Sequence, residues 1–128
     1  MDPEKEVLRK IRWVGDSRTR VREFPGQVCK DIGHSLYLVQ TGQTPESARP
    51  MKGLGSGVFE IASDHDTNTY RAVYTVKIGE FIYLLHAFQK KSKSGISTPR
   101  YEIDLIRRRL RRAKELAKQE GEDHGRGD

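Results

Sequence analysis

Three lysines, Lys90, Lys91 and Lys93, directly follow an apolar run that reads FIYLLHAF. Positive charges this close repel one another, and the repulsion favours the neutral form of an amine. A neutral amine can accept a proton near pH 7, while charged neighbours stabilise an anionic transition state. A solvated basic loop that only binds RNA is the commoner alternative. Segment 88–99 is therefore a candidate polyanion site. That it also takes part in catalysis is the more specific hypothesis.

Arg71 stands in the middle of the strand-like segment TYRAVYTV, where a charged side chain is unusual. It could form a salt bridge with Glu60 on the neighbouring strand. It could also clamp a phosphate, because its planar guanidinium holds two oxygens and stays charged. Together with the lysines, Arg71 suits metal-free RNA cleavage. In that reaction a base deprotonates a ribose 2′-hydroxyl, cations stabilise the phosphorane and an acid protonates the leaving oxygen.

The glycine-rich segment KGLGSG contributes Lys52 as a further candidate phosphate contact. It lacks the Gly-Lys-Ser/Thr ending of a phosphate-binding loop and precedes a strand rather than a helix. We therefore interpret it as a tight entry into a strand and not as a nucleotide site.

The histidines and the one cysteine do not indicate a metal or cofactor. His34, His65, His86 and His124 lack metal-ligand spacing, and a single cysteine, Cys29, excludes an internal disulfide. His86, inside the apolar run, is more typical of a hydrogen-bonded core histidine than of an acid or base. We expect no metal and no cofactor.

Positive charge is concentrated towards one end of the sequence. Residues 86–118 hold 11 Lys/Arg and 3 Asp/Glu, whereas the remainder holds 13 and 15, within a net charge of +6. A basic region on a near-neutral body is typical of a protein with a polyanionic partner. Arg107, Arg108 and Arg111 are the candidate RNA contacts on its helix, with a solvated face or an acidic protein partner as the alternatives.

Length and composition predict one globular domain over residues 1–119, with a disordered acidic, glycine-containing tail over 120–128. No apolar run reaches the about 18 residues of a membrane span, and the N-terminus does not resemble a signal peptide. We therefore expect a cytoplasmic protein with no membrane partner.

The hydrophobic pattern predicts an α+β fold in the order β-α-α-β-β-β-α. A first strand precedes a helical hairpin that is interrupted at Pro25, and Thr98 and Pro99 open a final basic helix. The short connections favour an antiparallel meander. The strands are predicted over 7–15, 58–63, 69–76 and 81–88, with a loop over 41–57.

Several segments together resemble a known family. MKGLGSGVFEI, YRAVYTVKIGEFIYLLHAFQKKSKSGISTP and YEIDLIRRRL, with WVGDSRTRVREFP near the start, are similar to the phage-derived branch of the HigB/RelE superfamily. These are toxins of bacterial type II toxin–antitoxin modules. The resemblance covers residues 8–117, and its specificity lies in the order and spacing of the segments.

The resemblance implies a RelE-like fold, with a curved sheet packed on the helical hairpin and the basic helix. It also implies an endoribonuclease that cleaves mRNA in the A site of the 70S ribosome without a metal. A cognate antitoxin, often a helix-turn-helix protein, would inhibit it, and operator DNA would be bound only through the toxin–antitoxin complex.

Carried over by position, Arg71, Lys90 and Lys91 match the family's catalytic cations, and Lys93 and Lys52 become phosphate contacts. Phe88 could stack on a base or pack in the core, and the same choice holds for Tyr70 and Tyr74. The tyrosine or histidines that some relatives use for proton transfer have no match here.

Two other interpretations stay open. The chain could be a noncatalytic RNA-binding or phage accessory protein on the same scaffold, or an inactive toxin relative that binds its antitoxin. A neighbouring reading frame for a helix-turn-helix protein would favour a toxin module.

Overall fold

The computed structural model describes residues 8–90 and 98–126, with side chains as far as Gly121. One five-stranded sheet has the strand order β1-β5-β4-β3-β2. The elements are β1 (Ile11–Trp13), α1 (Ser17–Arg22), α2 (Gly26–Gln40), β2 (Ala48–Pro50), β3 (Val58–His65), β4 (Asn68–Thr75), β5 (Ile82–Lys90) and α3 (Arg100–Arg126).

Strands β3, β4 and β5 form the antiparallel meander that the short connections predicted. The β3–β4 turn places Asp66 and Thr67 at positive φ, as a two-residue hairpin loop with the right-handed twist of its strands requires. Strand β1 pairs in parallel with β5, with Ile11 opposite Ile82. The sheet is therefore mostly antiparallel, and the α+β class is confirmed.

The predicted element order lacked one strand. Strand β2 lies within the predicted loop 41–57 and pairs only with β3, so that the order is β-α-α-β-β-β-β-α. It has three residues, and Arg49 and Pro50 are exposed. An edge strand this short, with a proline that cannot donate a ladder hydrogen bond, carries no alternating hydrophobic pattern by which to detect it.

Both faces of the sheet are covered. On one face Ile32 and Leu36 of α2 pack against Ala72 and Leu84, and the two aromatic residues Tyr70 and Tyr74 belong to the same cluster. On the other face α3 contributes Ile106, Leu110 and Ala113, which pack with Val73, Tyr83 and Leu85. Strand β5 is buried on both sides for this reason, as its continuous apolar sequence indicated.

Helix α3 lies on the sheet through the predicted apolar stripe, with Ile106 and Ala113 fully buried. It continues to Arg126, whereas the sequence predicted a disordered tail from Glu120. Glu120 contacts β1, because its Oε1 lies 3.4 Å from Nε of Arg12. The boundary at residue 119 thus falls inside a helix, and the single-domain assignment stays a prediction. Across the described ranges, no helix combines the length and apolar character of a membrane span.

Candidate functional site

The candidate site lies where β4 begins and β5 ends. The register sets Arg71 opposite Phe88 and Thr69 opposite Lys90. Directly opposed residues share one face of a sheet, so Arg71, Phe88 and Lys90 all lie on the α3 side. We call these three residues the β4–β5 surface. The structure thus brings together two predicted catalytic cations, while Lys91 and Lys93 lie outside the described residues.

Arg71 forms the salt bridge that was one of its two predicted roles. Its Nη1 donates to Oε1 of Glu60 at 2.7 Å, and the two side chains are 23% and 15% exposed. Nε of Arg71 and Oε2 of Glu60 are buried without a partner in the described structure. The guanidinium is therefore held in place while part of its hydrogen-bonding capacity is unused, and phosphate binding stays a prediction.

Phe88 is 2% exposed and stacks on His86, with ring centroids 5.2 Å apart and planes inclined by 21°. Its ring thus packs in the core, one of the two alternatives for this residue. Tyr70 and Tyr74 are also buried, on the opposite face. A base could stack on Phe88 only after its ring had moved, so that role stays a prediction.

His86 is completely buried, and both of its ring nitrogens have partners. Nε2 lies 3.1 Å from Oε1 of Glu102, and Nδ1 lies 3.3 Å from Nη1 of Arg109. Arginine can only donate and a carboxylate can only accept, so Nδ1 accepts and Nε2 carries the proton. Burial lowers the pKa of His86, which agrees with this neutral tautomer.

Arg109 extends this contact to α1. The Nη1 group also donates to the carbonyl oxygen of Leu85 at 3.0 Å, and Nη2 donates to Oδ1 of Asp16 at 2.6 Å. Hydrogen bonds from Arg20 and then Arg109 lower the pKa of Asp16 to about 2. The four side chains His86, Glu102, Arg109 and Asp16, here called the His86 network, therefore join β5, α3 and the start of α1.

A glycine makes room for this network. Gly15 has φ +58°, and a Cβ at this position would lie 2.7 Å from Cζ of Arg109. The positive φ favours glycine here, and a side chain would also force the Arg109 guanidinium to shift. The sequence did not reveal the network, because Asp16 and Arg109 are 93 positions apart and Arg109 lies in a run that resembles a solvated helix face.

The predicted RNA-binding cations Lys52, Arg107, Arg108 and Arg111 are all exposed. A Cβ on Gly53 would lie 3.9 Å from Nη2 of Arg107, so the glycine-rich loop that contains Lys52 runs beside α3. Arg111 lies four residues after Arg107 and three after Arg108, so it neighbours both on one flank of α3. The loop and this flank form a basic strip next to the sheet.

The described residues contain no group of three or more His, Cys, Asp or Glu side chains that could hold a metal ion. The chemistry available on the β4–β5 surface is that of a guanidinium and an amine. Both groups bind oxyanions, and the amine can also transfer a proton.

A family model for "Phage derived protein Gp49-like (DUF891)" matches residues 19–111. The chain belongs to this family. The match confirms the resemblance to the phage-derived branch of the RelE/HigB toxins. It covers most of α1, all of α2, the meander and the first part of α3.

No curated protein matches the chain. Among solved structures, one chain of the crystal structure of the toxin–antitoxin complex RelBE2 from Mycobacterium tuberculosis is similar to it. The TM-score is 0.45 and the sequence identity is 15%, over 66% of this chain and 100% of that chain.

Proposed function

We propose that this Gp49-like protein is the toxin of a type II toxin–antitoxin module and cleaves mRNA on the ribosome without a metal. Family membership supports the toxin assignment. The observation that carries the catalytic part is the β4–β5 surface, where Arg71 and Lys90 lie on one face and at one end of neighbouring strands.

In this mechanism Arg71 binds the scissile phosphate and stabilises the charge that develops on the phosphorane. Glu60 fixes one end of the guanidinium, which reduces the reorganisation required during the reaction. The guanidinium has further N–H groups that Glu60 does not use, and these can point to phosphate oxygens.

Lys90 or Lys91 transfers the proton in this proposal, and Lys93 and Lys52 bind phosphate. His86 is excluded from proton transfer in this conformation, because it is fully buried and both nitrogens are already bonded. It instead positions Phe88, against which it stacks.

The basic flank of α3 docks the protein on ribosomal RNA through Arg107, Arg108 and Arg111. A helix-turn-helix antitoxin is the proposed protein partner. Binding of operator DNA would occur only through the toxin–antitoxin complex.

The experiment compares induction of the wild-type protein with induction of Arg71→Ala and of the double variant Lys90→Ala/Lys91→Ala. We expect the wild type to arrest growth and to produce new mRNA ends on translating ribosomes. Loss of one transition-state cation should slow cleavage by about 10²- to 10³-fold. Lys30→Ala, an exposed cation on α2, is the matched control and should behave as the wild type.

The salt bridge itself favours a second candidate function. Glu60 already neutralises Arg71 at 2.7 Å, and a neutralised arginine suits a noncatalytic RNA-binding protein or an inactive toxin relative that retains its antitoxin. RNA binding or antitoxin binding without new mRNA ends would establish this alternative. If Arg71→Ala cleaves as well as the wild type, the residue assignment is wrong.

A further inference from the structure

A second site lies away from the β4–β5 surface, between the sheet and the later turns of α3. It is a cavity of about 410 Å³ whose walls include Phe81 just before β5, Tyr83 of β5, and Ala117 and Glu120 of α3. Exposed residues at its rim, Glu80 among them, open it to solvent.

Two buried polar atoms beside this cavity have no partner within the described structure. They are the hydroxyl of Tyr83, a residue with 0% exposure, and Oε2 of Glu120. Buried polar groups in folded proteins are nearly always hydrogen-bonded, because leaving one unsatisfied costs free energy. Two such atoms next to one cavity therefore indicate a missing hydrogen-bonding group.

The arrangement around Glu120 indicates what that group is. Arg12 already lies over the ring of Phe81, with its Cζ 4.2 Å from the centroid, and its Nε is 3.4 Å from Oε1 of Glu120. The wall therefore combines an aromatic ring with a carboxylate, and a guanidinium matches both. The second oxygen, Oε2, is left for another donor.

The charged residues described in the cavity wall are both acidic, Glu80 and Glu120, and their carboxylates attract a cation. Two arginines lie just outside the wall: Arg12 contacts Glu120, and Arg9 donates to the carbonyl oxygens of Glu80 and Phe81. The Tyr83 hydroxyl can accept a hydrogen bond from the same cation. The Glu120 side chain is 27% exposed, and its contact with Arg12 is long, so a rotamer change can turn Oε2 towards the cavity.

We propose that this cavity binds a guanidinium group, held by Oε2 of Glu120 and the Tyr83 hydroxyl against the apolar wall. The group can belong to a small molecule or to an arginine side chain of a partner protein. The recognition chemistry is the same for both, and the test separates them. The proposal does not depend on RNA cleavage.

The test is an NMR titration of the full chain with agmatine and, separately, with the blocked peptide acetyl-Gly-Arg-Gly-amide. We expect saturable shifts of the amide signals of residues at the cavity. Tighter binding of agmatine would identify a small molecule as the source, and tighter binding of the peptide would identify a partner side chain. Butylurea is neutral and lacks both the guanidinium and the ammonium charge of agmatine. It should bind at least about tenfold more weakly, because a neutral donor bonds a carboxylate less strongly than a cationic one.

Four variants, two in the cavity and two controls, complete the test. Tyr83→Phe removes only the unpartnered hydroxyl and should weaken agmatine binding about three- to tenfold. The unfolding temperature of this variant should be no lower than that of the wild type. Glu120→Gln should weaken agmatine binding about tenfold or more, because the hydrogen bond loses its charge. Glu46→Gln, an exposed carboxylate outside the cavity, and Arg71→Ala should both bind as the wild type.

The absence of saturable shifts with either ligand would overturn the proposal, since the two atoms would then be satisfied by water alone. Equal affinities of the wild type, Tyr83→Phe and Glu120→Gln would overturn it as well. So would equal binding of agmatine and butylurea.

Discussion

The neutral state of His86 predicts a specific dependence of stability on pH. Its pKa in the folded protein is lowered from the ordinary value of 6.5, mainly by burial, with Arg109 and Arg20 adding to the effect and Glu102 opposing it. The unfolded chain therefore takes up a proton below pH 6.5 that the folded protein does not. Stability is accordingly lost as the pH falls through 6.5, and this contribution is fully present above it.

The unfolded state sets the upper limit of the loss. At about pH 7.5 the unfolded histidine is almost neutral, and at about pH 5.5 its protonation favours unfolding by at most about 1.4 kcal/mol. We expect a part of the wild-type decrease in the free energy of unfolding, up to this limit, to be absent in His86→Gln. Glutamine can donate to Glu102 and accept from Arg109, but it does not titrate.

Urea denaturation at several pH values between these limits measures the difference in slope, so a constant destabilisation of the variant does not affect the result. His34→Gln, an exposed histidine on α2, is the matched control and should retain the wild-type slope. Parallel curves for the wild type and His86→Gln would show that His86 is not held neutral in the folded protein, and the assigned tautomer would be wrong.

Four further predictions follow from the structure. Gly15→Ala should lower the free energy of unfolding by about 2 kcal/mol or more in urea denaturation, because it combines a positive φ with a contact on Arg109. Unchanged stability would contradict that packing. Asp16, with a pKa of about 2 against an ordinary 3.8, should stabilise the fold above pH 3.8 and lose this effect as the pH falls towards 2, and Asp16→Asn should lack this part of the acid dependence. Arg107→Gln and Arg111→Gln should each reduce the salt dependence of single-stranded RNA binding by about 0.7 in the slope of log K against log salt, and an unchanged slope would remove them from the interface. If the proposed mechanism holds, cleavage of mRNA on purified ribosomes should not require a metal. EDTA should leave cleavage unaffected once a polyamine replaces the Mg²⁺ that the ribosome requires. Loss of toxin-dependent cleavage under these conditions would contradict the mechanism.

Local pattern was sufficient to predict the parts of the fold with strong periodicity. The continuous apolar run of β5 indicated a central strand, and the short turns on either side of β4 predicted the antiparallel meander. The proximity of Arg71 to the end of β5 followed from those two facts. Strand β2 escaped detection because three residues with two exposed side chains carry no hydrophobic alternation.

Of the polar contacts between separate elements, the sequence predicted one between neighbouring strands but not the His86 network. Glu60 was expected as a partner of Arg71 because the two lie on neighbouring strands, and the structure contains this salt bridge. The His86 network required the relative positions of α1, β5 and α3, which depend on packing rather than on spacing along the chain. Arg109 and its neighbour Arg108 look alike in the sequence, yet only Arg109 reaches the core.

The parallel pairing of β1 with β5 has a consequence for folding during synthesis. Ile11 pairs with Ile82, so the first strand has no neighbour in the sheet until the last strand has been made. Helix α3, which supplies Glu102 and Arg109 and packs on one face of the sheet, follows all five described strands in the chain. A nascent chain without α3 exposes the apolar face formed by Val73, Tyr83 and Leu85, and contacts so distant in sequence form slowly. The β4–β5 surface can therefore reach its final form only after α3 has been synthesised and has docked, so a growing chain does not carry a finished site.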